Sequence, residues 1–431
     1  MRTRHGTFHA SMGLPDSGGR ARRTLLPWYA AVLVQQFSVS LSLNTVYYFA
    51  GYELHTTTAV LLWIAAAGGL AYLLGAWVGS YWVDRLGQRR VLLTLGLVNL
   101  AVFAPAVAGV IWRSELLLGL HVVLLNLSVS WMWPALESAI TRSPGRMRLT
   151  TRVTLYNLTW AIGAFVAFGL NGALAFWFTW AGVFACAALA MLLAWAIIFR
   201  LAIPQHLISA EHVCDDPAEE RHTQQVLASP QSAPLLRMAW VGNMLAYICS
   251  NVITPVMPAL TLAAGVRSYA LATAVGATWA WARALGFGIS WLWTGWHYRV
   301  RWMLIFFALL ALTTEALLLN HSLGLLIVLQ VIFGLAMAML YSASLYYSMH
   351  LSRGSARQAG IHEAVIGAGT TVGPALAALA GAANALPPKA LAIFLVLLCG
   401  GSAMGILAAG ARGLVRPLPA PAPRGERHAE A

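Results

Sequence analysis

The chain has 431 residues, of which 59% are hydrophobic and only 10% charged, against about 25% charged in an ordinary soluble domain. That composition excludes a soluble globular protein and points to one that lives in a bilayer. The formal net charge of +13 could suit nucleic acid, but the basic residues are spread over short loops between apolar stretches, so no nucleic-acid partner is expected.

Residues 1–26 are polar and basic, with no apolar core and no small-residue cleavage site. They read as a cytoplasmic tail and not as a signal peptide. Twelve stretches then approach the roughly 20 apolar residues needed to cross a bilayer. They lie near 27–49, 58–83, 91–112, 115–140, 151–174, 176–200, 236–262, 268–295, 302–319, 323–348, 358–383 and 389–411. The expected class is therefore an all-α integral membrane protein with twelve transmembrane helices. Sidedness follows from Lys and Arg: 23 fall in the two tails and every second loop, while only Arg113, Arg267 and Lys389 fall in the others. Basic short loops mark the cytoplasmic side, so both termini are expected there.

Residues 201–235 form the main break. They carry Glu211, Asp215, Asp216, Glu219 and Glu220 among three prolines, with no apolar run of membrane length. The break divides the chain into bundles at 27–200 and 236–411, followed by a disordered tail at 412–431. At an offset of 206, Ser138 meets Ser344, Leu155 meets Ile361, Gly163 meets Gly369 and Leu170 meets Leu376. Such matches suggest two related six-helix bundles, as in parallel-repeat transporters.

The most charged run in the first hairpin is GSYWVDRLGQRRV, from Gly79 to Val91. An apolar stretch ends before it and another begins after it, so it is a tight loop. Gly87 allows the sharp turn. Asp84, with Arg85, Arg89 and Arg90, makes a cytoplasmic charge cluster suited to gating. The run resembles the loop signature of the major facilitator superfamily, Gly-x-x-x-Asp-Arg-x-Gly-x-Arg-Arg between helices 2 and 3. Asp84, Arg85, Gly87, Arg89 and Arg90 match it, and Ser80 replaces its first glycine. After the eighth span the corresponding run, Trp296 to Arg301, keeps only the basic residues. The resemblance implies two bundles rocking about a midplane site, with helices 1, 4, 7 and 10 lining a central cavity.

Polar residues at helical spacing fall on those same helices. Span 1 carries Gln36, Ser40, Asn44 and Tyr47. Span 4 carries Asn126, Ser130, Trp133 and Glu137. Span 7 carries Asn243, Tyr247, Asn251 and Thr254. Span 10 carries Gln330, Gly334, Met337 and Tyr341. Polar side chains at membrane depth face protein or a water-filled cavity. The expected substrate-binding set is therefore Gln36, Asn44, Tyr47, Trp133, Asn243, Asn251, Gln330 and Tyr341, with Arg283.

Arg283 is a charge near the middle of span 8, on a face with Gly276, Trp279, Gly286 and Ser290. It reads as an anchor for an anionic or hydrogen-bonding substrate group, or as half of a structural ion pair. Glu363 and Glu137 are the candidate proton carriers. For Glu137 a gate role is the competing reading, through a pair with Arg85 or Arg146.

No nucleophile–base pair or phosphate-cradling loop appears, and no His, Cys and Asp set has metal spacing. The four cysteines form no disulfide framework. No enzyme activity, cofactor or metal is expected. The reading is a monomeric secondary transporter of a small organic solute in a bacterial plasma (inner) membrane. Its partners are the lipid bilayer, the solute and, as an option, protons. A non-transporting scaffold or sensor on the same fold is the alternative.

Overall fold

The computed structural model describes residues 17–141, 149–201, 224–225, 229–352, 355–381 and 384–411, apart from the side chains of residues 17–24, 80, 84, 149–150 and 356. Arg146, the side chain of Asp84, residues 202–223 and 226–228 of the linker, and residues 1–16 and 412–431 of the tails therefore lie outside it.

Among the described residues there are twelve α-helices and no strand. They are α1 (Ser17–Tyr52), α2 (Thr58–Leu86), α3 (Gln88–Ile111), α4 (Glu115–Thr141), α5 (Leu149–Arg200), α6 (Ser232–Ala263), α7 (Tyr269–Gly276), α8 (Thr278–Leu292), α9 (Val300–Leu319), α10 (Leu323–Ser352), α11 (Ala356–Leu379) and α12 (Pro387–Gly410). Eight of these are each long and apolar enough to cross a membrane. Bare polar backbone is costly in hydrocarbon, which is why an apolar chain of this composition resolves into helices.

Helices and crossings do not correspond one to one. α5 has 52 residues, more than twice the length a crossing needs. At Thr179 its backbone leaves the helical region, with φ 63° and ψ 167°, and there the chain reverses. Trp180 lies beside Glu53 at one end of the molecule, with its indole Nε1–H 3.3 Å from Oε1. At the other end the carbonyls of Phe199 and Leu201 meet Arg89. The fifth and sixth expected spans are thus one run with a single non-helical residue between them. Conversely, the eighth span is broken at Ala277 into α7 and α8. Twelve crossings result.

α2 and α3 are joined by Gly87 alone, at φ +85°. This is the left-handed region that favours glycine. The end of the molecule carrying this turn, called the basic end below, also bears Arg85, Arg89 and Arg90. Arg89 donates to the carbonyls of Phe199 and Leu201, at 3.1 and 3.3 Å. A cation there suits the negative end of a helix dipole. Arg85 stacks over Tyr81 at 4.1 Å. The equivalent turn between α8 and α9 is held by rings instead of charges. The Tyr298 amide donates to the Tyr347 hydroxyl at 2.6 Å, Tyr298 Oη meets His350 Nδ1, and His297 stacks on Tyr346 at 4.5 Å.

Helices α1–α5 form one bundle and α6–α12 the other, each around its own buried apolar cluster. At the end opposite the basic one the bundles touch directly. Tyr48 donates to the carbonyl of Ala272 at 3.0 Å, and the Gly172 amide donates to Thr273 Oγ1 at 3.1 Å. The Thr58 amide donates to Asn384 Oδ1 at 3.0 Å. Towards the basic end, Leu345, Met349 and Ala359 of the second bundle join the first bundle's apolar cluster. A space remains between these two closures.

Candidate functional site

That space is a cavity of about 180 Å³ at mid-height between the bundles. α1 contributes Gln36, Ser40, Asn44 and Tyr47, and α4 contributes Asn126 and Trp133. α6 adds Tyr247, Ser250, Asn251 and Thr254, while α10 adds Tyr341. The remaining walls include Tyr72, Tyr156, Trp160, Phe168, Trp279, Arg283, Glu363 and Thr370.

Seven of the nine residues expected to bind substrate face this cavity: Arg283, Gln36, Asn44, Tyr47, Trp133, Asn251 and Tyr341. Asn243 and Gln330 do not line it. Gln330 shares Tyr341's helix face but lies eleven residues away, about 16 Å along the axis, well beyond the cavity. Asn243 shares the face of Tyr247 and Ser250 but sits one turn beyond Tyr247, outside the cavity. Both are fully buried between helices. Periodicity reports a face of a helix but not a height along it.

Arg283 is held by α8 against two indole faces, with its guanidinium carbon 4.4 Å from the Trp160 ring centre and 4.7 Å from that of Trp279. Its Nη1 lies 3.8 Å from Met337 Sδ, and its Nε has no hydrogen-bond partner. Among the described residues no carboxylate pairs with it, so the structural ion pair that the sequence left open is not formed. The lack of a side chain at Gly334 allows this arrangement: a Cβ there would stand 2.2 Å from the Trp279 carbonyl.

Across the cavity, α4 and α11 bring Glu137 and Glu363 together. One oxygen of each and a ring nitrogen of His362 lie within 4.8 Å of one another. The two carboxyls are 1% and 2% exposed, so water does little to screen them. The Tyr72 hydroxyl donates to Glu363 Oε2, and Ser344 Oγ lies 2.8 Å from His362 Nδ1. Tyr156, Tyr247 and Tyr341 complete the surroundings from α5, α6 and α10. Among the described residues Glu137 does not pair with Arg85; its carboxyl faces Glu363 and Tyr156 instead. Arg146, the other gate partner expected for it, lies outside the described residues. The three donors are one short of the four used by a closed tetrahedral metal site.

Sequence reasoning missed the convergence of Glu137 on Glu363, which join different bundles. It also missed Tyr72, a lone polar ring in an apolar span with no periodic partner. Trp279 was visible on the face of Arg283, but its stacking was not.

Residues 28–232 match the family model described as Major Facilitator Superfamily. Solved structures extend the likeness over the rest of the chain. A bacterial homologue of the human lysosomal transporter Spinster, inward-facing and unoccupied, superposes with a TM-score of 0.61 at 15% identity, covering 93% of this chain and 97% of that one. The human organic anion transporter MFSD10 (TETRAN) gives 0.63 at 15% identity, covering 91% and 99%. A point mutant of the nucleoside transporter NupG gives 0.63 at 12%, covering 90% and 98%. Among curated proteins no sequence matches. The family likeness in sequence thus covers residues 28–232, and the whole chain shares the fold of these transporters. The departures from the superfamily's loop signature, Ser80 in the first half and the aromatic turn in the second, are local variations on that frame.

Proposed function

We propose that the protein is a secondary active transporter, not an enzyme, that moves a small organic solute by alternating access. The observation that carries this reading is the cavity itself. It lies at mid-height, between two bundles that touch on either side of it, and both bundles line it. Rocking one bundle against the other opens it to one face and then the other. Arg283 is the group that engages the solute, because its planar donors meet only the weak acceptor Met337 Sδ and its Nε meets none. Gln36, Asn44, Asn251 and Tyr341 supply further hydrogen bonds, and the aromatic walls fit an organic body.

The Glu137–Glu363 pair is the candidate proton carrier, with Glu363, the member that reaches the cavity wall, leading. Two carboxylates this close repel unless a proton is shared between them. One carboxyl comes from each bundle, so a change in the pair's proton count acts on how the bundles meet. We place the chain as a monomer in a bacterial plasma membrane with both termini cytoplasmic. The 23-to-3 division of basic residues supports that sidedness.

The test uses purified protein in liposomes. Glu363→Gln should abolish accumulation driven by a pH gradient but retain solute exchange, which moves no net proton. Normal accumulation with an unchanged pH profile would remove Glu363 from the coupling.

A further inference from the structure

The cavity wall holds one positive and one negative pole, and among the described residues neither has a counter-charge. Among its lining residues Arg283 is the only cation and Glu363 the only acid, with Glu137 directly behind the acid. Direct pairing of the two would be the least costly way to bury both. Instead, aromatic rings hold them apart. The guanidinium stacks on Trp160 at 4.4 Å, Trp160 meets Tyr341 edge-on at 5.2 Å, and Tyr341 meets His362, the neighbour of Glu363, at 5.0 Å. Tyr247 lies within electrostatic reach of both poles.

We infer that the solute is a zwitterion, with an anionic group held by Arg283, a cationic amine held by Glu363, and an apolar or aromatic middle against Trp160 and Tyr341. The inference rests on the transporter reading and adds the substrate's charge pattern to it. A plain organic anion would leave Glu363 without a partner, and a plain organic cation would leave Arg283 without one. Buried charge at a binding site is matched by opposite charge on the ligand, and an unmatched charge discriminates against the wrong ligand. Two carboxylates sharing one proton still offer one negative charge, so holding an amine is compatible with carrying a proton.

The probe is 4-(aminomethyl)benzoate, an amine and a carboxylate on either side of one ring. Its N-acetyl derivative lacks the cation and its methyl ester lacks the anion. Binding of all three to the purified full chain is measured by equilibrium dialysis, with 6-aminohexanoate as a flexible counterpart. The zwitterion should bind at least tenfold tighter than either blocked form. Arg283→Gln should erase its advantage over the methyl ester, and Glu363→Gln its advantage over the N-acetyl form, while each variant keeps the other preference. Equal or tighter binding of the N-acetyl form would overturn the inference in favour of an organic anion. Tighter binding of the ester would overturn it in favour of an organic cation. Binding of neither zwitterion would also overturn it. Liposome uptake separates the two readings: a zwitterion that binds but is never taken up sinks the transporter reading alone, whereas uptake of the N-acetyl form in preference to the zwitterion sinks this inference alone.

Discussion

Arg283 concentrates the chemistry, and its energetics can be weighed. An arginine at mid-bilayer costs roughly 2.5–3.5 kcal/mol on insertion scales. Two desolvated cation–π contacts return about 1–2 kcal/mol each, and the structure supplies two, on Trp160 and Trp279. The terms nearly cancel, so the charge is tolerated and contributes little net stability. Arg283→Met should therefore shift the melting temperature of the solute-free protein by only a few degrees, about 1 kcal/mol either way, yet lower uptake at least 100-fold. A large fall in melting temperature would instead make Arg283 a structural residue. Arg283→Lys should fold normally and raise KM by about tenfold or more, because an ammonium cannot make the planar two-point contact. The importance of Arg283 was legible in the sequence as a charge inside an apolar span. The absence of a carboxylate partner was not, because pairing is decided by which helices meet.

At the level of helices, the repeat visible at an offset of 206 has a physical counterpart. A Cβ on Gly163 would lie 2.5 Å from the Leu33 carbonyl of α1, and one on Gly369 would lie 2.4 Å from the Met244 carbonyl of α6. Each bundle uses a glycine at the same repeat position to bring its fifth crossing against its first. Gly163→Ala and Gly369→Ala should each destabilise by about 1–3 kcal/mol, the usual range for overpacking. Gly169→Ala, where a Cβ meets nothing within 4 Å, should be neutral or slightly stabilising, since alanine favours helix. Thermal melts of the three variants in detergent check this, and equal losses at all three positions would mean the close approach is unimportant. Element boundaries were less legible than these contacts. The break at Ala277 contains no proline or glycine of its own, although Gly276 precedes it. The reversal at Thr179 sits in a run so apolar that hydropathy cannot show where one crossing ends. Asn243 and Gln330 followed the right period but lay at the wrong height. Glu137 and Glu363 come from different bundles, and local patterns carry no information about such a meeting.

For the whole molecule, the charge count that gives sidedness and the contacts that give the closed end make linked predictions. In a cysteine-free background, Arg267→Cys and Pro387→Cys, both exposed, should label from outside intact cells, and the exposed Arg357→Cys should not. Labelling of all three from outside would refute the assigned sidedness. The end bearing Arg267 and Pro387 is also the one where the bundles touch, through Tyr48 and Ala272 and through Gly172 and Thr273. A Cβ built on Gly51 of α1 lies 3.1 Å from Pro258 Cβ of α6, slightly closer than the roughly 3.5–4.5 Å that a disulfide spans. The double variant Gly51→Cys, Pro258→Cys should therefore cross-link on mild oxidation with only a small outward shift of the helices. Alternating access requires this end to part in every cycle. The oxidised protein should lose uptake, still bind solute presented from the basic side, and recover transport on reduction. Each single-cysteine variant should transport before and after oxidation. If the fully cross-linked protein transports at the unlinked rate, this end does not open, and a rocking mechanism about the central cavity is ruled out.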